Sequence, residues 1–142
     1  MPLNLRIAGH ASLFALADLS GDVVHRGAFA RSLAAGGMVP MLFQHDPVEP
    51  VGVWTTLRED RRGLYVEGEI LATGPRGRTV AGLVRRGAVN GLSIGFRTRS
   101  ARTRTPKGRD LLDIDLWEVS IVTFPMLPQA RLRLVDAAAV AA

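Results

Sequence analysis

A mainly β protein, a mostly antiparallel barrel of about six or seven strands decorated by two short helices, is the fold this sequence predicts. Three observations lead there. Strand-like alternation recurs in short runs, as in Leu64, Val66 and Ile70 set against Tyr65, Glu67 and Glu69. Turn-forming residues rich in glycine and proline separate those runs. Helical spacing is confined to two stretches, near 28–35 and 77–86. At 142 residues the chain buries one core without disulfides. Residues 1–135 read as a single domain and the alanine-rich stretch 136–142 as a disordered tail.

Residues 5–16 suit a first strand with a bend at Gly9, and His10 reads as a strand residue with a satisfied ring. Asp18 to Gly27 is a turn-rich segment in which His25 has only Asp22 as an acidic companion nearby. Phe29 and Leu33, four apart, predict a short helix over Ala28–Ala35 that Gly36-Gly37 closes. The apolar run 39–45 ends in His45-Asp46-Pro47, so His45 sits at the end of a rigid element, placed to point into a cleft. Val51–Arg58 and Leu64–Leu71 flank a hairpin turn at 59–63, with Glu67 and Glu69 on its wet face. Val80, Leu83 and Val84 predict a helix over 76–87, with Arg85 and Arg86 at its C-terminal end.

Gly91-Leu92-Ser93-Ile94-Gly95-Phe96 is the most informative stretch. Leu92, Ile94 and Phe96 share one face of a strand and Ser93 the other, with the flanking glycines reading as clearance around its hydroxyl. The stretch also satisfies G-x-S-x-G, the nucleophile elbow of α/β-hydrolases. That motif requires a strand–turn–helix and a histidine after the serine. Here His10, His25 and His45 all precede Ser93 and the alternation continues beyond it, so the elbow is rejected. If Ser93 is a nucleophile its base is upstream, with His45 best placed, and the order is His, Ser, acid.

Arg97 to Arg109 holds six basic residues and no acid, and reads as a solvated hairpin turning at 106–108. It lacks the interleaved aromatics of a single-strand nucleic-acid binder. Along Leu111–Val122, Asp113 and Asp115 alternate with leucines and Ile114, while Glu118 has the parity of the apolar side unless a bulge intervenes. A carboxylate there needs a partner. Asp46 and Asp115 are its rivals as a third site member. Asp46 is next to His45, on the opposite face of an extended chain, and Asp115 lies on the wet face, whereas Glu118 has core-face parity. Pro125 and Pro128 end this strand, and Arg131–Val135 suggests a last edge strand.

Composition excludes more than it selects. Cysteine is absent and three histidines are scattered, which argues against metal chemistry; no cofactor is implied. No segment has the length of a membrane span, and the expectation is a soluble intracellular protein. The formal net charge of +5 bears on partners and solubility, and not on fold.

The chain resembles the prohead (capsid maturation) serine proteases of tailed bacteriophages and prophages, whose fold is related to the herpesvirus assemblin proteases. The resemblance rests on G-H-A-S-L-F, D-L-S-G-D-V-V-H-R-G-A-F (Asp18–Phe29), L-F-Q-H-D (Leu42–Asp46), P-V-G (Pro50–Gly52), G-L-S-I-G-F (Gly91–Phe96) and W-E-V-S-I-V-T-F-P (Trp117–Pro125). It implies His45 as general base, Ser93 as nucleophile and Glu118 as the third member; with the parity of Glu118, its carboxylate is expected within about 3.5 Å of a His45 ring nitrogen, directly or through one water. The implied function is a serine endopeptidase that cleaves major capsid protein extensions and scaffold inside the procapsid, in the host bacterial cytoplasm. A homodimer is implied by analogy with assemblins. Pro125-Met126-Leu127-Pro128 departs from the family's common Pro-Ala-Asn-Pro. A gene transfer agent is a further setting for the same activity. The competing reading is a catalytically idle capsid-assembly module that binds capsid subunits through Arg97–Arg109, and a nucleic-acid binder ranks last.

Overall fold

The computed structural model describes residues 4–135. The elements in chain order are β1 (Leu5–Leu13), β2 (Val23–Val24), α1 (Ala30–Ala35), β3 (Pro40–Phe43), β4 (Gly52–Glu59) and β5 (Gly63–Ile70). They continue with α2 (Pro75–Arg85), β6 (Gly91–Thr103), β7 (Arg109–Val122) and β8 (Leu132–Leu134). The expected tail at 136–142 lies outside the described residues.

The eight strands among the described residues join one sheet in the order β2-β7-β3-β4-β5-β1-β8, with β6 paired to β7. The expected antiparallel six- or seven-stranded barrel is corrected in two ways. The sheet is mixed, because β2 and β3 both run parallel to β7, at Asp110–Leu111 and Val119–Ile121 respectively. Among the described residues the sheet is also not closed by a ladder. β6, which lies off that path, approaches the β8 end through an isolated Gly91–Arg131 bridge, beside the bonds Leu92 N–H to Ala130 O and Leu132 N–H to Asn90 O, both 2.9 Å.

The parallel pairings follow from the connection. Between β2 and β3 the chain turns through α1 and the left-handed glycines Gly36 and Gly37, and returns in its original sense. Alternation within one strand cannot announce that outcome, since it reports faces and not partners. Arg31 of α1 donates to Asp113 and Asp115 of β7 at 3.0 and 2.5 Å, and Ser32 Oγ accepts the Leu116 N–H, which ties the crossover to β7. The core lies under this sheet, with Ile7, Phe29, Met41, Leu64, Ile70, Leu92, Ile114 and Ile121 fully buried.

β7 organises the site because it is long enough to bond β2, β3 and β6 at once. Its alternation is broken near Glu118. Neighbouring β6 residues Gly95 and Phe96 pair with Glu118 and Leu116, which leaves Trp117 as the extra residue of a β-bulge, 60% exposed. The bulge moves the core face from Ile114 and Leu116 to Val119 and Ile121. Glu118 therefore leaves the apolar side that its parity predicted, and it faces the same way as Ser120. No helix among the described residues is long and apolar enough to cross a membrane.

Candidate active site

His45 is held by a turn and not by a strand. β3 ends at Phe43, and Gln44 and His45 follow with φ of 55° and 60°, while Asp46 N–H donates back to Phe43 O at 3.1 Å. Two consecutive left-handed residues closed by such a bond are the signature of a type I′ turn, which favours Asn-Gly. For residues with a Cβ this conformation costs roughly 1–2 kcal/mol each, so neighbours must hold it. Gln44 is held by backbone and side chain: its N–H donates to Ile121 O of β7 at 2.9 Å, and its side chain exchanges hydrogen bonds with Thr123, just past the end of β7. The His45 N–H donates to Ser120 Oγ at 3.1 Å.

Glu118 reaches this turn from β7. Its Oε2 lies 2.7 Å from His45 Nδ1, and its Oε1 accepts a 2.6 Å hydrogen bond from the Ser120 hydroxyl. The carboxylate is only 15% exposed and the imidazole 42%. The hydrogen bond that the ring donates to Glu118 is the main reason the imidazole holds its proton above the ordinary histidine range; partial burial opposes it and the carboxylate's charge assists it. With Nδ1 engaged, Nε2 is the nitrogen left to work on something else.

Ser93 comes from β6, directly opposite Ser120 in the ladder, and is 7% exposed. It lines the same cavity of about 270 Å³ as His45. Apolar side chains from Leu13, Leu16, Val24, Met126 and Leu127 form much of the remaining wall. Of the three histidines, His45 is the one that lines this cavity. His10 is bonded to Asp60 and stacks edge-on with Tyr65, and His25 is bonded to Asp110, each at 2.8 Å. Sequence reasoning missed the His25 partner because it arrives through the parallel β2–β7 pairing.

The rivals of Glu118 are engaged elsewhere. Asp46 accepts from Arg76 at 2.9 Å and from the Val48 N–H, while Asp115 is bonded to Arg31 and lies near Arg97 and Arg99. That last grouping alters the picture of the basic hairpin. Arg97, Arg99, Arg104 and Arg109 have no acid between them in sequence, yet they form ion pairs with Asp115, Asp110 and Asp22 from other segments or the return strand.

The glycines around Ser93 serve other neighbours. A Cβ on Gly91 would stand 2.7 Å from Pro125 Cδ and Val122 O. On Gly95 it would stand 2.5 Å from Glu118 Oε2 and 2.6 Å from its Cγ. Gly95 thus leaves the space in which the carboxylate lies, a role visible only once β6 and β7 are in register. Gly95→Ala is expected to displace Glu118 and slow any reaction that uses it by on the order of 10²-fold. Turnover measured beside a circular dichroism spectrum checks this, with the spectrum expected to stay native.

Ser120 is the other residue the sequence reading passed over. Its signal was present: a lone hydroxyl inside Val119-Ser120-Ile121-Val122, two residues after a carboxylate. Among the described residues, no group of three or more His, Cys, Asp or Glu is arranged to hold a metal ion. A hydroxyl and an imidazole that line one cavity, with a carboxylate bonded to the imidazole from behind, are groups that can perform proton transfer and nucleophilic attack.

Comparison with known proteins gives a consistent picture. The family profile described as caudovirus prohead serine protease matches residues 3–141. The prohead protease of Enterobacteria phage HK97 is 38% identical over 126 residues, covering 86% of this chain and 56% of that protein. The chain thus spans little more than half the length of that relative. Among solved structures, KSHV protease in complex with a hexapeptide phosphonate inhibitor matches with TM-score 0.59 at 14% identity, covering 95% of this chain and 66% of the other. Varicella-zoster virus protease matches with TM-score 0.59 at 14% identity, covering 92% and 64%. At that identity the viral structures establish the fold.

Proposed function

Because the chain belongs to the caudovirus prohead serine protease family, we propose that it is a serine endopeptidase that cleaves the major capsid protein's extension and scaffold within the assembling procapsid. The observation that carries the reading is the His45–Glu118 hydrogen bond of 2.7 Å at the cavity that Ser93 lines.

In this reading Ser93 Oγ attacks the scissile carbonyl carbon while its proton passes to His45 Nε2. The new C–O bond forms as the carbonyl π pair moves onto oxygen, and the tetrahedral intermediate collapses by breaking the C–N bond. The imidazolium returns its proton to the departing amine, and water repeats the sequence to free Ser93. Glu118 keeps the Nδ1–H tautomer and stabilises the imidazolium without taking its proton. The ion pairs of Arg97, Arg99, Arg104 and Arg109 support a role for that hairpin in holding β6, β7 and the β1–β2 connection together, and so favour the protease over an assembly module that docks through those arginines.

Coexpression with the capsid protein, followed by intact-mass measurement of both chains, tests the reading. The capsid protein is expected to lose a defined terminal segment. Unchanged masses in assembled particles would overturn the protease assignment.

A further inference from the structure

Ser120 is fully buried in β7, and its hydroxyl makes two hydrogen bonds with a fixed sense. The His45 backbone N–H can only donate, so Ser120 Oγ accepts there; an ionised Glu118 can only accept, so the same hydroxyl donates its single proton to Oε1. With Oε2 on His45 Nδ1, the four groups close a ring in which both carboxylate oxygens and both the backbone and the side chain of His45 are engaged.

We propose that Ser120 is a positioning residue of the site, whose hydroxyl at once pins the backbone of His45 in its left-handed turn and locks the rotamer of Glu118. Three features support this. Val119, Ile121 and Val122 around it are buried and apolar, and a hydroxyl in that setting is costly unless bonded as this one is. The residue it pins has φ of 60°, a conformation that persists only where the surroundings determine it. Ser120 is also the cross-strand partner of Ser93, so one residue sets the spacing from the β6 hydroxyl to the turn that carries the imidazole.

The inference rests on the protease reading for its consequence in turnover, but not for its geometry, and the test separates the two. Ser120→Ala removes one atom and fits the same space. In the folded full chain, the His45 ring titration followed by NMR is expected to move down toward the ordinary histidine value of about 6.5, because a carboxylate free to rotate no longer holds the Nδ1 proton. Glu118 is the carboxylate bonded to that ring, while Asp46, next in the chain, is held by Arg76 of α2, so the movement reports Glu118. Turnover of a capsid-protein substrate is expected to drop on the order of 10²-fold in kcat, with KM changed by less than about threefold. A variant whose melting temperature drops while the His45 titration and kcat stay at wild-type values would show a purely structural serine and overturn the proposal. If the wild-type chain leaves the capsid-protein substrate uncut, the protease reading fails, and the titration alone then decides the role of Ser120.

Discussion

Replacing Ser93 by alanine is expected to lower kcat for capsid-protein cleavage by a factor on the order of 10⁴–10⁶ while the fold is kept. The magnitude follows from the proposed mechanism: without Oγ no acyl-enzyme could form, and what would remain is binding and electrostatic stabilisation of direct attack by water. The fold should survive because β6 is secured by its backbone ladder to β7, and Leu92, its fully buried neighbour, is untouched. Intact-mass analysis of coexpressed chains, run beside thermal unfolding, reads both quantities. An alanine variant that unfolds as wild type and still trims its substrate at the wild-type rate would remove Ser93 from the mechanism.

Glu118→Gln is expected to be nearly as severe, with kcat reduced on the order of 10²–10⁴-fold, whereas Asp46→Asn should have a much smaller effect. Glutamine keeps the size of the side chain but carries no charge to stabilise the imidazolium. The Asp46–Arg76 ion pair it is compared with is about one-third exposed on each side, and surface pairs of this kind are worth about 0–1 kcal/mol. The pH profile adds an independent check. In the proposed mechanism His45 is a base that works when neutral, and Glu118 raises its pKa, so the acid limb of kcat/KM should lie above the ordinary histidine value. In Glu118→Gln that limb should move to lower pH; an unmoved limb, or Asp46→Asn proving the more damaging of the two, would mean that Glu118 is not the partner that matters.

Local pattern carried the element types well. The turn at 59–63, the helix from Pro75 to Arg85 and the long β6–β7 hairpin were legible because alternation, helical spacing and turn residues are properties of neighbouring residues. What depended on distant neighbours was not. Two parallel partners of β7 come from the path of the α1 crossover, and the partners of the hairpin arginines come from segments that the crossover and the hairpin bring alongside. The Trp117 bulge reversed the parity that assigned Glu118 to the core, yet the carboxylate found the histidine it needed, because Gly95 clears its path and Ser120 sets its direction. His45 was legible as the end of an apolar run; that it sits in a left-handed turn was not, since Gln-His is a poor sequence for one.

The central place of β7 also governs when the site can come into being. His45 and Glu118 are 73 residues apart, and the ladders that bring β3 and β6 together both run through a strand near the end of the described chain. During synthesis, His45 and Ser93 emerge well before the strand that aligns them, and contacts of such long sequence separation form slowly because loop closure precedes their reward. A partly made or partly folded chain therefore carries an unoriented imidazole beside an unassisted hydroxyl. The ring around Glu118 can close only once β7 has aligned with β3.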